Sequence, residues 1–313
     1  MIISASRRTD IPAFYADWFL NRIRSGYCTV PNPFNSNQVS RVSLKPDDVD
    51  IIVFWSRNPQ PLIPSLTELK ARGYRYYFQY TVMGNPTFLD PHGPQMDVSI
   101  RHFKTLSDHI GPEKVIWRYD PIFFSEMTDQ NFHKRTFEQI ARALKSSTHR
   151  VVVSIADIYR KNKRRIEAFS RHSIVVTEPN QNAVADLFPF MSGIAEANGM
   201  EILSCAEDID LTSYGIRPGK CVDDAYIKKI FGIDVTQRKD VSQRKACGCV
   251  TSRDIGMYDS CLFGCQYCYA TSSFDKARIN YRGHDPRSPS LIGWHEGSSQ
   301  TESCQQLGLW GEE

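Results

Sequence analysis

Short apolar runs recur along the first two thirds of the chain. Each is followed by a polar loop and then by a helical pattern that ends near a glycine. The runs lie at residues 2–6, 51–55, 74–82, 115–119, 151–155 and 200–204. After the first, Arg7-Arg8-Thr9-Asp10 leads into Pro12, which suits the first turn of a helix, and Asp10 offers a carboxylate to the free N–H groups there. Phe14, Trp18, Phe19 and Ile23 share one face of that helix, and Gly26 predicts its end. Further helices are expected up to Gly73, over 96–111 and 128–144, after Tyr159 and over 181–199, with a shorter one at 223–231.

Strands alternating with helices imply βαβ units, parallel pairing and right-handed crossovers. The runs are continuously apolar, as in strands buried on both faces. Six such units predict an α/β fold, either an open doubly wound sheet or a six-unit (β/α) partial TIM-like barrel. The strand ends favour the barrel. They carry Ser6-Arg7-Arg8, Trp55-Ser56-Arg57-Asn58, Gln79-Tyr80-Thr81, Arg118-Tyr119-Asp120, Ser154-Ile155-Ala156-Asp157 and Cys205-Ala206-Glu207-Asp208. In a barrel these groups converge on one rim, where such folds do their chemistry; in an open sheet only those at the switch point meet.

The rhythm stops after about Thr236. Residues 1–235 are expected to form the barrel-like domain, 236–281 a cysteine-rich segment packing over its mouth, and 282–313, dominated by Gly, Ser, Pro and Gln, a flexible tail. Hydrophobic residues at 41% allow a real core. The 38 Lys and Arg against 35 Asp and Glu supply no global argument for nucleic acid or an anionic membrane. No run of eighteen apolar residues exists to span a bilayer, and the start lacks signal-peptide features, so a cytoplasmic protein is expected.

Cysteine changes the picture. Of nine, residues 1–204 hold only Cys28. In a reducing compartment, clustered cysteines more often bind metal than form disulfides. Cys261-Leu262-Phe263-Gly264-Cys265-Gln266-Tyr267-Cys268 brings three thiolates within eight residues, enough to ligate three irons of a [4Fe–4S] cluster and leave the fourth open to a cosubstrate. A structural zinc site is the alternative, although zinc more often uses paired C-x2-C units.

The C-x3-C-x2-C spacing with an aromatic before the last cysteine resembles the radical S-adenosylmethionine (SAM) motif. That resemblance implies that SAM binds the open iron and is reductively cleaved to a 5′-deoxyadenosyl radical, and it implies an electron donor of ferredoxin or flavodoxin type. In that superfamily the triplet usually follows the first strand; here it follows the sixth unit. Residues 1–272 also resemble the domain-of-unknown-function family 1848. The matching motifs are Ser6-Arg7-Arg8-Thr9-Asp10-Ile11-Pro12, Phe54-Trp55-Ser56-Arg57-Asn58-Pro59, Arg118-Tyr119-Asp120-Pro121, Cys205-Ala206-Glu207-Asp208-Ile209-Asp210-Leu211, Cys247-Gly248-Cys249, Asp254-Ile255-Gly256 and residues 261–270. The resemblance implies a radical-SAM-like C-terminal cluster but no particular reaction or substrate. Phe263 stands where the family pattern has a histidine, a position that is not a ligand.

Cys205, Cys221, Cys247 and Cys249 form a second set of four, able to complete an auxiliary [4Fe–4S] cluster or a zinc site, or else to be ordinary buried thiols. Cys28 and Cys304 receive no role. On the expected rim, Arg7, Arg57 and Arg118 can neutralise the carboxylate of SAM or of an anionic substrate. Glu207 or Asp120 can hold ribose hydroxyls or the amino group, and Gln79 can contact adenine. Each also has a structural reading, as cap, turn former or internal ion pair.

The basic run at 159–165, Tyr-Arg-Lys-Asn-Lys-Arg-Arg, reads first as a solvated helix face and second as a nucleic-acid patch. Tyr267-Cys268-Tyr269-Ala270 resembles spore photoproduct lyase-like enzymes, which keeps a nucleic-acid substrate in view. No Walker loop, Rossmann glycine fingerprint or Gly-x-Ser-x-Gly elbow is present. Three classes remain: a radical-SAM-like enzyme, a non-enzymatic or electron-transfer metal protein, and a nucleic-acid-acting protein.

Overall fold

The computed structural model describes residues 1–172 and 174–296. The chain begins with β1 (Ile2–Ala5), α1 (Ile11–Phe14), α2 (Ala16–Ser25), β2 (Tyr27–Asn32), β3 (Asn35–Ser43), β4 (Ile51–Ser56), α3 (Leu66–Ala71), β5 (Tyr76–Thr81) and α4 (Met96–Ile110). It continues with β6 (Val115–Ile122), α5 (Gln130–Ala143), β7 (Arg150–Ile155), α6 (Arg160–Glu167), α7 (Gln181–Ala197) and β8 (Glu201–Ser204). The last elements are β9 (Arg217–Pro218), α8 (Asp224–Phe231), β10 (Arg253–Asp254) and α9 (Phe274–Arg282).

The expected strands all form, and they pair in parallel in one eight-stranded sheet of order β10-β1-β4-β5-β6-β7-β8-β9. The six central strands lie side by side in chain order, so no switch point interrupts them. The sheet is not closed. It is an α/β sheet extended at one edge by β10, which pairs with β1 through Ile3–Arg253 and Ser4–Asp254, and at the other by β9.

Period-2 alternation divides each strand between two apolar layers. Ile3, Ile52, Phe54, Phe78, Trp117 and Val153 join the larger core, shared with Phe19 of α2, Phe103 of α4 and Phe137 of α5. Ile2, Ile51, Val53, Tyr77, Ile116 and Val152 point the other way, onto Cys221, Val222, Ile227, Cys249 and Val250. The cysteine-rich part of the chain therefore covers the second face of the sheet, which explains why the strand runs are apolar throughout. Gly219 lets the segment before Cys221 lie on β8, because a Cβ there would stand 2.8 Å from Leu203 Cβ.

Local chemistry follows the sequence at several ends. Asp10 Oδ1 accepts from Ala13 N at 3.0 Å, and Gly26 closes α2 with φ +75°. Two features were not anticipated. Between α2 and β4, β2 and β3 pair as an antiparallel hairpin across the Asn32-Pro33-Phe34-Asn35 turn. And the flexible tail expected from 282 is corrected as far as 296. Trp18 Nε1 donates to Ser288 O at 3.0 Å, Thr29 N to Pro289 O at 2.8 Å and Thr29 Oγ1 to His295 O at 2.6 Å. Ser290 and Leu291 are buried there, so serine hydroxyls that suggested disorder instead satisfy a packed turn. Residues 297–313, with Cys304, lie outside the described residues. Among the described residues no helix is long and apolar enough to cross a membrane.

Candidate functional site

The polar groups that follow the six central strands meet. Arg7 after β1, Arg57 after β4, Thr81 of β5, Asp120 of β6, Asp157 after β7 and Cys205 after β8 all line one cavity of about 290 Å³. Cys221, Cys247, Cys249, Cys261, Cys265 and Cys268 line it too, so both cysteine sets open on the same space. Parallel strands deliver their C-terminal ends to one edge, and the cysteine-rich segment folds back over that edge.

The triplet is held by donors from elsewhere in the chain. Arg57 makes a two-pronged ion pair with Asp90, Nη1–Oδ1 at 2.7 Å and Nη2–Oδ2 at 2.8 Å. The same Nη1 donates to Cys265 Sγ at 3.0 Å and to Tyr267 Oη at 2.8 Å, and Tyr267 donates back to Asp90. Burial pushes the Asp90 carboxyl up, but the Arg57 charge outweighs it and holds Asp90 below the usual carboxylate range. Burial likewise raises the Cys265 thiol well above its ordinary value, with Arg57 opposing. Burial pushes the Cys261 thiol up to about 12, with backbone N–H groups of Phe263 and Asp10 pulling it down. Ala270 N donates to Cys268 Sγ at 3.3 Å. Each of the three sulfurs thus has an N–H group aimed at it.

The loop itself is clamped by α6. Arg165 donates to Gln266 O at 3.0 Å, to Thr271 O at 2.5 Å and to Cys268 O. Asn162, fully buried, donates to Tyr267 O at 2.8 Å. The basic run is therefore two-sided: Arg165 and Asn162 serve the cysteine loop, while Arg160, Lys163 and Arg164 stay exposed. Phe263 is buried against Phe14, ring centroids 4.7 Å apart.

The second set is bound up with itself. Cys205 Sγ and Cys221 Sγ are 3.4 Å apart, and Cys249 interacts with the side chains of both Cys221 and Cys247. Cys221 N and Val222 N point at Cys249 Sγ, at 3.3 and 3.4 Å. Arg118 Nη1 donates to Cys221 Sγ at 2.7 Å. The Cys221 contact lowers the Cys205 thiol to about 6 against its burial, and Cys221 and Cys247 together lower Cys249; Cys221 and Cys247 move up. Among the described residues no group of three or more His, Cys, Asp or Glu is arranged to hold a metal ion.

The expected rim residues divide. Arg7 stacks on Trp55 at 4.8 Å and donates to Ser252 Oγ at 3.2 Å, while its Nη2 is buried without a hydrogen-bond partner. Arg118 pairs with Asp120, whose other oxygen accepts from Ser154 Oγ. Arg57 is committed to Asp90 and Cys265. Gln79, expected at adenine, is fully buried away from the cavity; its Nε2 donates to Cys221 O at 3.0 Å, which holds the second thiol set in place. Glu207 accepts from Ile155 N at 2.8 Å, and burial pushes its carboxyl up to about 7. Cys28 is buried in the larger core and does not line the cavity.

Two organising residues escaped the sequence reading. Asp90 sits in the loop after β5 with no motif around it. Asp254, within Asp254-Ile255-Gly256, accepts from Ser4 Oγ, Ser6 Oγ, Arg7 N and Gly256 N at 2.6–2.9 Å, and so ties the first strand end to the cysteine-rich segment. A Cβ at Gly256 would lie 2.1 Å from Ser6 Oγ, which makes glycine a requirement there.

No curated protein matches the chain. Residues 2–270 match the model of a domain of unknown function, DUF1848, and the chain belongs to that family.

Proposed function

We propose that this protein is a radical-SAM-like iron–sulfur enzyme built on a six-unit partial TIM-like barrel. The observation that carries the reading is the convergence of Cys261, Cys265 and Cys268 on the cavity into which all six strand ends open. When bound and reduced, a three-thiolate [4Fe–4S] cluster supplies the electron that cleaves a carbon–sulfur bond of SAM. Cys261, Cys265 and Cys268 are the residues that hold it. Arg57 orients Cys265 and offsets thiolate charge, and Asp90 and Tyr267 fix that guanidinium. Arg165 and Asn162 keep the loop in register by holding its carbonyls.

Arg7 and Arg118 reach the cavity with guanidinium groups suited to a carboxylate, and Asp120 is the acidic group available beside them. Glu207 supports the end of β7 through the N–H of Ile155. Phe263, Tyr267 and Tyr269 line the cavity and limit water at the reacting atoms. The reading implies a ferredoxin- or flavodoxin-type electron donor and a reducing, cytoplasmic setting. The substrate stays unnamed.

The test is anaerobic purification and reconstitution, followed by iron and sulfide counting and incubation with dithionite and SAM. The expected outcome is about four irons held by the triplet and formation of 5′-deoxyadenosine, both abolished in Cys265→Ala. Iron content unchanged by Cys265→Ala, or a cluster spectrum indifferent to SAM with no 5′-deoxyadenosine, refutes the reading. A full iron complement without SAM cleavage would favour electron transfer.

A further inference from the structure

We propose that Cys205, Cys221, Cys247 and Cys249 bind one metal ion of the zinc class as a closed tetrathiolate centre, independent of the iron–sulfur reading of the triplet. The sulfur contacts favour a single ion over a cluster, and the four side chains must rearrange to surround it. Tetrahedral coordination with metal–sulfur bonds near 2.3 Å places neighbouring sulfurs about 3.8 Å apart, whereas a four-iron cube holds its thiolates much farther apart. Cys205 and Cys221 already stand at 3.4 Å, and Cys249 bridges Cys221 and Cys247. Each ligand still protonated releases its proton on binding, and one divalent ion held by four thiolates gives a centre with a net charge of about −2.

The surroundings are built for such an anion. Arg118 Nη1 is 2.7 Å from Cys221 Sγ, and the N–H groups of Cys221 and Val222 point at Cys249 Sγ. Arg7 lies close enough to Cys221, Cys247 and Cys249 to feel their charge, and its buried Nη2 has no partner. That unsatisfied nitrogen is a buried unpaired donor, and a tetrathiolate centre supplies negative charge beside it. The ligands also come from separate places. Cys205 follows β8, Cys221 precedes α8, and Cys247 and Cys249 lie between α8 and β10, so one ion would fasten the cysteine-rich segment onto this face of the sheet. With all four positions filled by protein, the centre has no open site for SAM or substrate, and its role is structural.

The full-length protein, purified without chelator, tests this by metal analysis. About one zinc per chain is expected, retained in Cys265→Ser and reduced about fivefold or more in Cys221→Ser and Cys247→Ser. Cys247 is only partly buried, so Cys247→Ser keeps the test valid if Cys221→Ser fails to fold. Cobalt(II) loaded into zinc-free protein should show the sulfur-to-cobalt charge transfer and visible bands of a tetrahedral thiolate site, absent in Cys247→Ser. Zinc that persists in Cys247→Ser overturns the proposal. So does loss of iron rather than zinc from that variant after anaerobic reconstitution, which would mark a second cluster. So does recovery of a Cys205–Cys221 disulfide with no bound metal. Loss of iron alone in Cys265→Ser separates the fate of this proposal from that of the triplet.

Discussion

Cys265 meets a guanidinium, Cys268 a backbone N–H and Cys261 the N–H groups of Phe263 and Asp10, whereas Cys205, Cys221, Cys249 and Cys247 meet one another. Both groups line the same cavity. In the first, the protein supplies each sulfur with a polar partner of its own, the arrangement that the proposed cluster with an open position calls for. In the second, the thiols fill each other's polar needs and leave room for little more than an ion. The difference teaches that sulfur count alone does not assign a centre; what each sulfur touches does.

The contrast can be broken most forcibly at Asp90. Its side chain is 4% exposed and that of Arg57 14%, so Asp90→Asn strands a buried guanidinium beside Cys265. Removing one partner of such a pair costs about 3–5 kcal/mol, readable as a lowered urea midpoint. Iron retention should fall with it, while zinc in the second set stays. Equal loss of both metals would mean that the two groups are one structural unit.

How far the sequence reached follows the same division. The triplet stood out in the sequence because its three cysteines lie within one short loop, and all three line the cavity. The second set could only be suspected. Cys205, Cys221 and the Cys247-Gly248-Cys249 turn meet because the end of β8 and the segment after α8 are brought to one face of the sheet, and that is a property of topology. The strands were legible from continuous apolar runs, and their ends were correctly expected to converge. Gln79 misled because a polar residue in an apolar strand looks like a ligand contact, yet its amide is spent on the carbonyl of Cys221. The hairpin β2–β3 was invisible for the opposite reason: Thr29, Asn35, Ser40 and Arg41 leave its alternation too polar to stand out.

A smaller effect sharpens the scaffold against the site. His133 on α5 is fully buried, with Nδ1 2.8 Å from Tyr119 Oη and Nε2 3.1 Å from Phe123 O. Burial lowers its pKa from 6.5 to about 4. A base depressed in the folded state contributes stability above pH 6.5, and that contribution is lost as pH falls toward 4. The acid-side loss should approach about 3 kcal/mol. Urea melts across that window should show the slope in the wild type and in Cys265→Ser alike, and a flattened slope in His133→Gln. A slope that vanishes with Cys265→Ser would place the titrating group in the site instead.

The finest comparison lies within α6, between adjacent arginines of the basic run. Arg165 gives three hydrogen bonds to the carbonyls of Gln266, Cys268 and Thr271 and lies 4.9 Å from the Phe274 ring, whereas Arg164 is exposed. Net contributions of about 1 kcal/mol per hydrogen bond, reduced by partial exposure, predict a loss of about 2 kcal/mol for Arg165→Ala. Arg164→Ala should stay within about 0.5 kcal/mol. The sharper readout is kinetic: chelator should strip iron from Arg165→Ala several-fold faster than from Arg164→Ala, because Arg165, of the two arginines, holds the loop that carries Cys265 and Cys268. If both variants lose iron at the same raised rate, the run acts through its collective charge, and the assignment of Arg165 to the loop fails. If only Arg165→Ala does so, the basic run is divided by helical geometry into an inward clamp and an outward solvated face.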